Sequence, residues 1–310
     1  MRIAIVGQQD FGKAVLEAFL ARGDEVGAVF CAPEKEGAKP DALRASAQAR
    51  GLKVYQFRSL RDPEAAHAMK EANADIGIMA FVLQFAPQEF VRIPKQGTIQ
   101  YHPLLLPKYR GPSSINWPII KGDTETGLTI FRPSDGLDEG AVILQKKTPI
   151  GPDDTLGTVY FDRLFPMGVQ AILEAADLVL SGKHTESVQN EADASYEGWC
   201  RTAEAKIDWA KPIDHIYNLI RGCNPAPGAW TTLKGKKLQI FDARKILFRR
   251  FAEVPGKIGA VSDITAQSFR ITAQGGMIEV LKARFEDGKK ISGGELAQAG
   301  GITLGSLLGD

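Results

Sequence analysis

What most restricts the fold is an alternation, within the first hundred residues, between short apolar runs and amphipathic segments. Residues 3–6, 26–31, 54–57, 76–81 and 98–101 read as strands, and helical patterns at 13–22, 41–50 and 63–72 occupy the first three gaps. Strands that alternate with helices predict an α/β unit, a mostly parallel sheet covered on both faces. Gly23 stands where a helix closes on a glycine. Residues 128–131 and 142–146 flank the turn-rich 134–140 and read as a late strand pair, and 156–180 reads as one long helix.

Past residue 200 the pattern changes. A short amphipathic helix at 213–220 is followed by runs at 238–243, 259–261, 269–272 and 278–282, separated by glycine and charge. This is an all-β pattern that predicts a small β-barrel, OB-like in type. Charge divides the chain in the same place. The net charge of +1 conceals 21 Lys+Arg against 26 Asp+Glu in residues 1–200, and 12 against 5 in residues 201–260. We therefore expect a catalytic domain over 1–200 and a C-terminal domain over 201–310.

Composition removes several classes. With 44% apolar and 24% charged residues the chain is in the globular range. No stretch approaches the roughly 18 apolar residues of a membrane span. The N-terminal MRIAIVGQQD is broken by glycine, glutamine and aspartate, so it reads as a first strand and not as a signal peptide. A cytoplasmic protein is expected. Cys31, Cys200 and Cys223 are far apart and lack CxxC spacing, which points to packed thiols and to no zinc site.

Two places carry candidate chemistry. Gly7-Gln-Gln-Asp-Phe-Gly12 fills the first strand-to-helix turn but lacks the middle glycine of a dinucleotide fingerprint, which favours a plain turn. The stronger signal is His102 at the carboxyl end of a strand, with Gln100 on the same face and Tyr101 opposite. A single histidine at a strand end also serves purely structural roles. Asp135-Gly-Leu-Asp138-Glu-Gly140, however, is a tight loop able to offer a carboxylate to the same edge, and His with Asp suffices for acid–base chemistry on a carbonyl. No Gly-x-Ser-x-Gly elbow is present, so direct attack on a bound acyl group is favoured over a covalent route.

His102, the Leu-Leu-Pro-Lys-Tyr-Arg-Gly run at 105–111, Ile-Asn-Trp at 115–117, Gly122-Asp123 and Gly136-Leu-Asp-x-Gly140 together resemble the formyltransferase superfamily that uses 10-formyltetrahydrofolate. Gln84-Phe85, Tyr101-His102-Pro103, Leu164-Phe165-Pro166, Tyr196-Glu-Gly198, Ala205 to Trp209, Ile220-Arg-Gly222 and Pro227 to Trp230 extend the resemblance over most of the chain. They are most similar to the branch formed by the N-terminal hydrolase domains of 10-formyltetrahydrofolate dehydrogenases.

The resemblance implies a Rossmann-like formyltransferase domain, a barrel-like C-terminal domain and a place in one-carbon metabolism. It implies 10-formyltetrahydrofolate as formyl donor and no metal. His102 matches the family's proton-transferring histidine, and Asp138 the aspartate that supports it. The pterin is expected against Gln84, Phe85, Ala86 and the loop holding Asp135 and Gly136, with Leu104, Leu105, Leu106 and Pro107 as part of the folate wall. Arg110 is read as a surface residue able to meet the glutamate tail. Transformylases of the family usually carry Asn two residues before the histidine; here it is Gln100, whose amide on a longer stem either reaches the oxyanion or simply packs, and the hydrolase branch likewise lacks that Asn, which favours water as acceptor. The chain has neither the carrier nor the aldehyde-dehydrogenase modules of the dehydrogenases, so a stand-alone hydrolase or an amine formyltransferase is expected.

The main alternative is a methionyl-tRNA formyltransferase. The basic residues of 234–250 (Lys234, Lys236, Lys237, Arg244, Lys245, Arg249, Arg250) would then contact phosphates. Residues 31–51 are short and weakly basic where that enzyme is expected to carry a basic insertion. Sugar-amine formyltransferases share the 106–111 pattern. A catalytically silent folate- or nucleotide-binding module is the reading outside enzymes, and it would need neither His102 nor Asp138.

Overall fold

A computed structural model describes residues 1–248, 254–286 and 288–309. The elements run β1 (Arg2–Gly7), α1 (Gln9–Ala21), β2 (Glu25–Cys31), α2 (Ala42–Ala49), β3 (Val54–Gln56), α3 (Pro63–Ala72), β4 (Ile76–Ala80), α4 (Gln88–Val91) and β5 (Thr98–His102). They continue through α5 (Asn116–Lys121), β6 (Glu125–Phe131), β7 (Val142–Pro149), α6 (Leu156–Val159) and α7 (Phe165–Leu180). The remainder is α8 (Ile213–Gly222), β8 (Ala229–Leu233), β9 (Lys236–Leu247), β10 (Val261–Ile264), β11 (Phe269–Ala273), β12 (Gly276–Phe285), β13 (Ile291–Ser292) and α9 (Gly293–Gly300).

Two compact units result. The first comprises Met1–Ser114, Thr126–Thr148 and Phe161–Glu197; the second comprises Ile115–Glu125, Pro149–Tyr160 and Gly198–Asp310. The second unit thus takes two segments from the middle of the chain as well as its C-terminal third.

In the first unit the strands order as β3-β2-β1-β4-β5-β6-β7. The β1–β2, β1–β4, β2–β3 and β4–β5 pairs are parallel, and β6 joins β5 antiparallel. Alternation along β1 explains the layers. Ile3 and Ile5 enter a core with Phe11, Leu16 and Phe19 of α1 and Ile172 of α7. Ala4 and Val6 enter the opposite core with Ala65 and Met69 of α3 and Phe90 of α4. Strand order reverses between β1 and β4, the arrangement that leaves a crevice at the carboxyl edge of such a sheet.

The glycine turn after β1 has a packing explanation. A Cβ on Gly7 would fall inside van der Waals distance of the Ala80 carbonyl of β4, and one on Gly12 would press on Leu43. Gln9, where a nucleotide fingerprint carries glycine, adopts φ 59°. Its N–H donates to Asp41 Oδ2 at 2.7 Å, while Asp41 Oδ1 accepts from Leu43 N at 2.9 Å and caps α2. One carboxylate therefore supplies an anion to the first turns of two helices.

The region expected as one long helix is interrupted. A π-helical turn spans Tyr160–Leu164 between α6 and α7. Pro166, which lacks the N–H that a regular helix would need there, lies just beyond it.

The second unit is built on an antiparallel sheet ordered β10-β11-β12-β9-β8, with β13 on β12. Its core joins Ile216 and Ile220 of α8 to Ile240, Phe269, Ile278 and Leu296. Lys234 and Gly235, both at positive φ, make the two-residue turn between β8 and β9. Helix α9 was not foreseen, although Ser292 and Glu295 form its reciprocal capping box and were readable as such. The three cysteines are buried and unbridged, with Cys200 Sγ 3.8 Å from Cys223 Sγ. No helix among the described residues is long and apolar enough to cross a membrane.

Because a Cβ at position 7 has no room beside the Ala80 carbonyl, Gly7→Ala forces β1 and β4 apart. The expected loss is about 1–3 kcal/mol of stability in the first unit, read as a lowered urea midpoint.

Candidate functional site

Strand β5 delivers the site through its alternation. Tyr101 turns into the core, where its ring stacks on Phe11 at 4.3 Å between centroids and its hydroxyl donates to Leu164 O at 3.3 Å. Gln100 and His102 take the other face. His102 is the last residue of the strand and only 6% exposed.

The loop between β6 and β7 begins beyond Phe131, which pairs with Gln100, and folds back so that Asp138 reaches His102. His102 Nδ1 lies 3.7 Å from Asp138 Oδ2, within ion-pair range but too long for a hydrogen bond. The same Oδ2 accepts from Gly111 N at 3.0 Å. His102 Nε2 is buried with no hydrogen-bond partner among the described residues. The imidazole thus has one nitrogen turned to a carboxylate and the other buried without a partner.

Backbone sterics hold this loop. Asp138 adopts φ 57°. A Cβ on Gly140 would collide with the Arg132 carbonyl, so only glycine closes the turn. The other predicted residues occupy neighbouring loops. The Gln84 amide donates to Phe57 O at 2.8 Å and Arg58 O at 3.0 Å, joining the segment after β4 to that after β3. Phe85 beside it is exposed under the Arg61 guanidinium, and Ala86 is buried. Leu104 and Leu106 are buried, while Leu105 and Pro107 are half-buried. Thr129 Oγ1 fixes this stretch by donating to Leu104 O at 2.6 Å and accepting from Leu106 N at 3.1 Å. Asp135 is exposed and Gly136 half-buried.

Arg110 departs from expectation. Instead of lying on the surface it is fully buried, with its guanidinium bonded to Gln189, Glu191 and Tyr196. Those partners come some eighty residues later, beyond the reach of any local pattern, and only the Arg-Gly pair at 110–111 marked the position.

Burial pushes the His102 pKa below its ordinary value, and the Asp138 charge opposes that shift without cancelling it. The folded state therefore favours neutral imidazole. This contribution to stability is present above the ordinary histidine pKa and is lost as pH falls through the lowered one.

A surface groove of about 810 Å³ lined by Arg22, Lys146, Glu174 and Asp177 contains none of these residues. Four of its charges pair as Lys146–Glu174 and Arg22–Asp177. No group of three or more His, Cys, Asp or Glu among the described residues is placed to hold a metal.

Comparison with known proteins gives a consistent outcome. Residues 1–175 match the family described as formyl transferase, and residues 200–300 match formyl transferase, C-terminal domain. The chain is 36% identical over 301 residues to cytosolic 10-formyltetrahydrofolate dehydrogenase of Xenopus tropicalis, covering 94% of this chain and 33% of that protein. It therefore spans about a third of the length of that relative. It is 32% identical over 314 residues to methionyl-tRNA formyltransferase of Geotalea uraniireducens (strain Rf4), covering 100% of this chain and 98% of that protein. Among solved structures, the N-formyltransferase of Helicobacter canadensis in complex with folinic acid and dTDP-3-aminofucose has the same fold. Its TM-score is 0.69 at 20% identity, over 90% of this chain and 98% of that one.

The electrostatics give a direct test. Followed by NMR, the His102 imidazole is expected to titrate below the ordinary histidine value, and Asp138→Asn should lower the midpoint further by removing the opposing charge.

Proposed function

The chain belongs to the formyl transferase family, and on that premise we propose that it binds 10-formyltetrahydrofolate and transfers the formyl group, with water as acceptor. The observation that carries this reading is the buried His102, with Nδ1 facing Asp138 and Nε2 unpartnered. The match to the dehydrogenases, which covers nearly all of this chain, supports folate as the carrier.

In the proposed reaction, neutral His102 accepts a proton as water oxygen bonds to the formyl carbon. The tetrahedral intermediate then collapses, the bond from carbon to N10 breaks, and the imidazolium returns the proton to the departing nitrogen. Formate and tetrahydrofolate leave, and no redox equivalent is consumed. Asp138 stabilises the transient imidazolium and orients the attacking water. The Gln100 amide, on the same face of β5, donates to the developing oxyanion, a contribution of order 3 kcal/mol at comparable sites.

The folate is assigned to the loops around this pair. Phe85, 44% exposed, and Leu137, 56% exposed, provide apolar surface for a planar ring. The backbone of Gln84 to Ala86 and the Asp135–Gly136 turn would supply polar contacts, with Leu104 to Pro107 behind. A cytosolic setting is part of this reading, supported by the relatives named cytosolic 10-formyltetrahydrofolate dehydrogenase.

An amine acceptor on methionyl-tRNA is the second reading, favoured by the end-to-end match to that enzyme. Charge pairing weighs against it. Lys237 is paired with Glu286 at 3.2 Å and Lys245 with Asp214 at 2.5 Å, so two of the five described cations of 234–250 are met within the fold. Lys234, Lys236 and Arg244 remain exposed. Arg249 and Arg250 lie outside the described residues.

Incubated with 10-formyltetrahydrofolate, the wild-type protein is expected to release formate. His102→Ala and Asp138→Asn should each reduce turnover by about 10²–10⁴-fold, and undiminished rates in both would remove the assigned roles. A filter-binding titration is expected to show no salt-sensitive retention of tRNA. Retention that falls steeply with salt would transfer the assignment to the tRNA enzyme.

A further inference from the structure

We propose that Arg110 and Gln189 are positioning residues that hold Asp138 in reach of His102. This inference rests on the reading of Asp138 as half of the catalytic pair.

A fully buried guanidinium is costly unless its donors are satisfied, and here they are. Nη1 and Nη2 donate to the two Glu191 oxygens at 2.9 and 2.7 Å, and Nη1 also donates to the Tyr196 hydroxyl at 2.5 Å. Nε and Nη2 both donate to Gln189 Oε1, at 3.2 and 2.8 Å. That double donation fixes which way the amide points. With its oxygen committed to Arg110, the Gln189 NH2 must face the other way, where it donates to Asp138 O and Gly140 O, each at 2.8 Å. The opposite flip would set an NH2 against a cation and an oxygen against two carbonyls.

The two carbonyls flank Glu139, so one amide pins both ends of the segment that carries Asp138 in its left-handed conformation. Tyr196 adds a third tie by donating to Glu139 Oε1 at 2.8 Å. The carboxylate is held from the same source, since the N–H of Gly111, next to Arg110, donates to Asp138 Oδ2. Arg110 thus acts on Asp138 twice: through Gln189 on its backbone, and through the adjoining peptide on its side chain. A general stabilising role would not require the bonds to converge on one residue facing the histidine.

The test is Gln189→Met, which keeps length, adds no charge and removes both sets of bonds. It reads formyl hydrolysis, tetrahydrofolate binding and the NMR titration of His102. Asp138 is the one charge acting on His102 among the described residues, so the midpoint reports its position. The expected result is a folded protein with kcat lowered about 10²-fold, KM little changed, and a His102 midpoint moved down toward that of Asp138→Asn. An unmoved midpoint, or unchanged kcat, in a folded variant overturns the proposal. If Gln189→Met does not fold, Gln189→Asn, whose amide is one methylene too short to span both partners, is read by the same criteria. Should the wild-type protein show no turnover, the proposed function fails on that result alone, and the shift of the His102 midpoint still decides the positioning role.

Discussion

Burial of the parallel sheet on both faces is the constraint on which the rest of the first unit depends. Because β1 sends Ile3 and Ile5 into one core and Ala4 and Val6 into the other, charged side chains have no place in the middle of the parallel strands. They emerge at strand ends, and His102 is the last residue of β5. Even there it is enclosed, which keeps its imidazole neutral and leaves the nearby Asp138 charge little screened by water. The low dielectric that stabilises the sheet also sets the protonation state of the candidate base.

Enclosing such a site requires the surrounding polar groups to be satisfied within the chain. Arg110 meets this demand by gathering Gln189, Glu191 and Tyr196 around one guanidinium. Glycine makes the loops compact enough for that convergence. Gly111 passes directly under the Glu197 carbonyl and Gly140 under that of Arg132, positions that exclude any side chain. Backbone sterics and a buried charge network together place one carboxylate.

Charge in the second unit teaches a different lesson. The excess of cations in residues 201–260 reads from the sequence either as a solvated face or as a surface for a polyanion, and in the folded protein Lys237 and Lys245 find Glu286 and Asp214. A count along the chain registers each lysine but not its distant partner. Exposed pairs of this kind add little stability, but they do reduce the field available to a phosphate backbone.

Periodicity and turn chemistry are local, so the sequence alone determined the five parallel strands, the helices in the first three gaps between them, the late strand pair and the β-rich character of the C-terminal region. Short segments escaped: α4 and α5 have too few residues for a period to register. Motif order was enough to single out His102 and Asp138 as candidates. What only the tertiary structure decided was their separation, the buried and unpartnered Nε2, the burial of Arg110 and the network that orients Gln189. Each of these depends on contacts between residues far apart in the chain, where the free energy of a buried charge is set by which partners the fold brings to it and not by its neighbours in sequence.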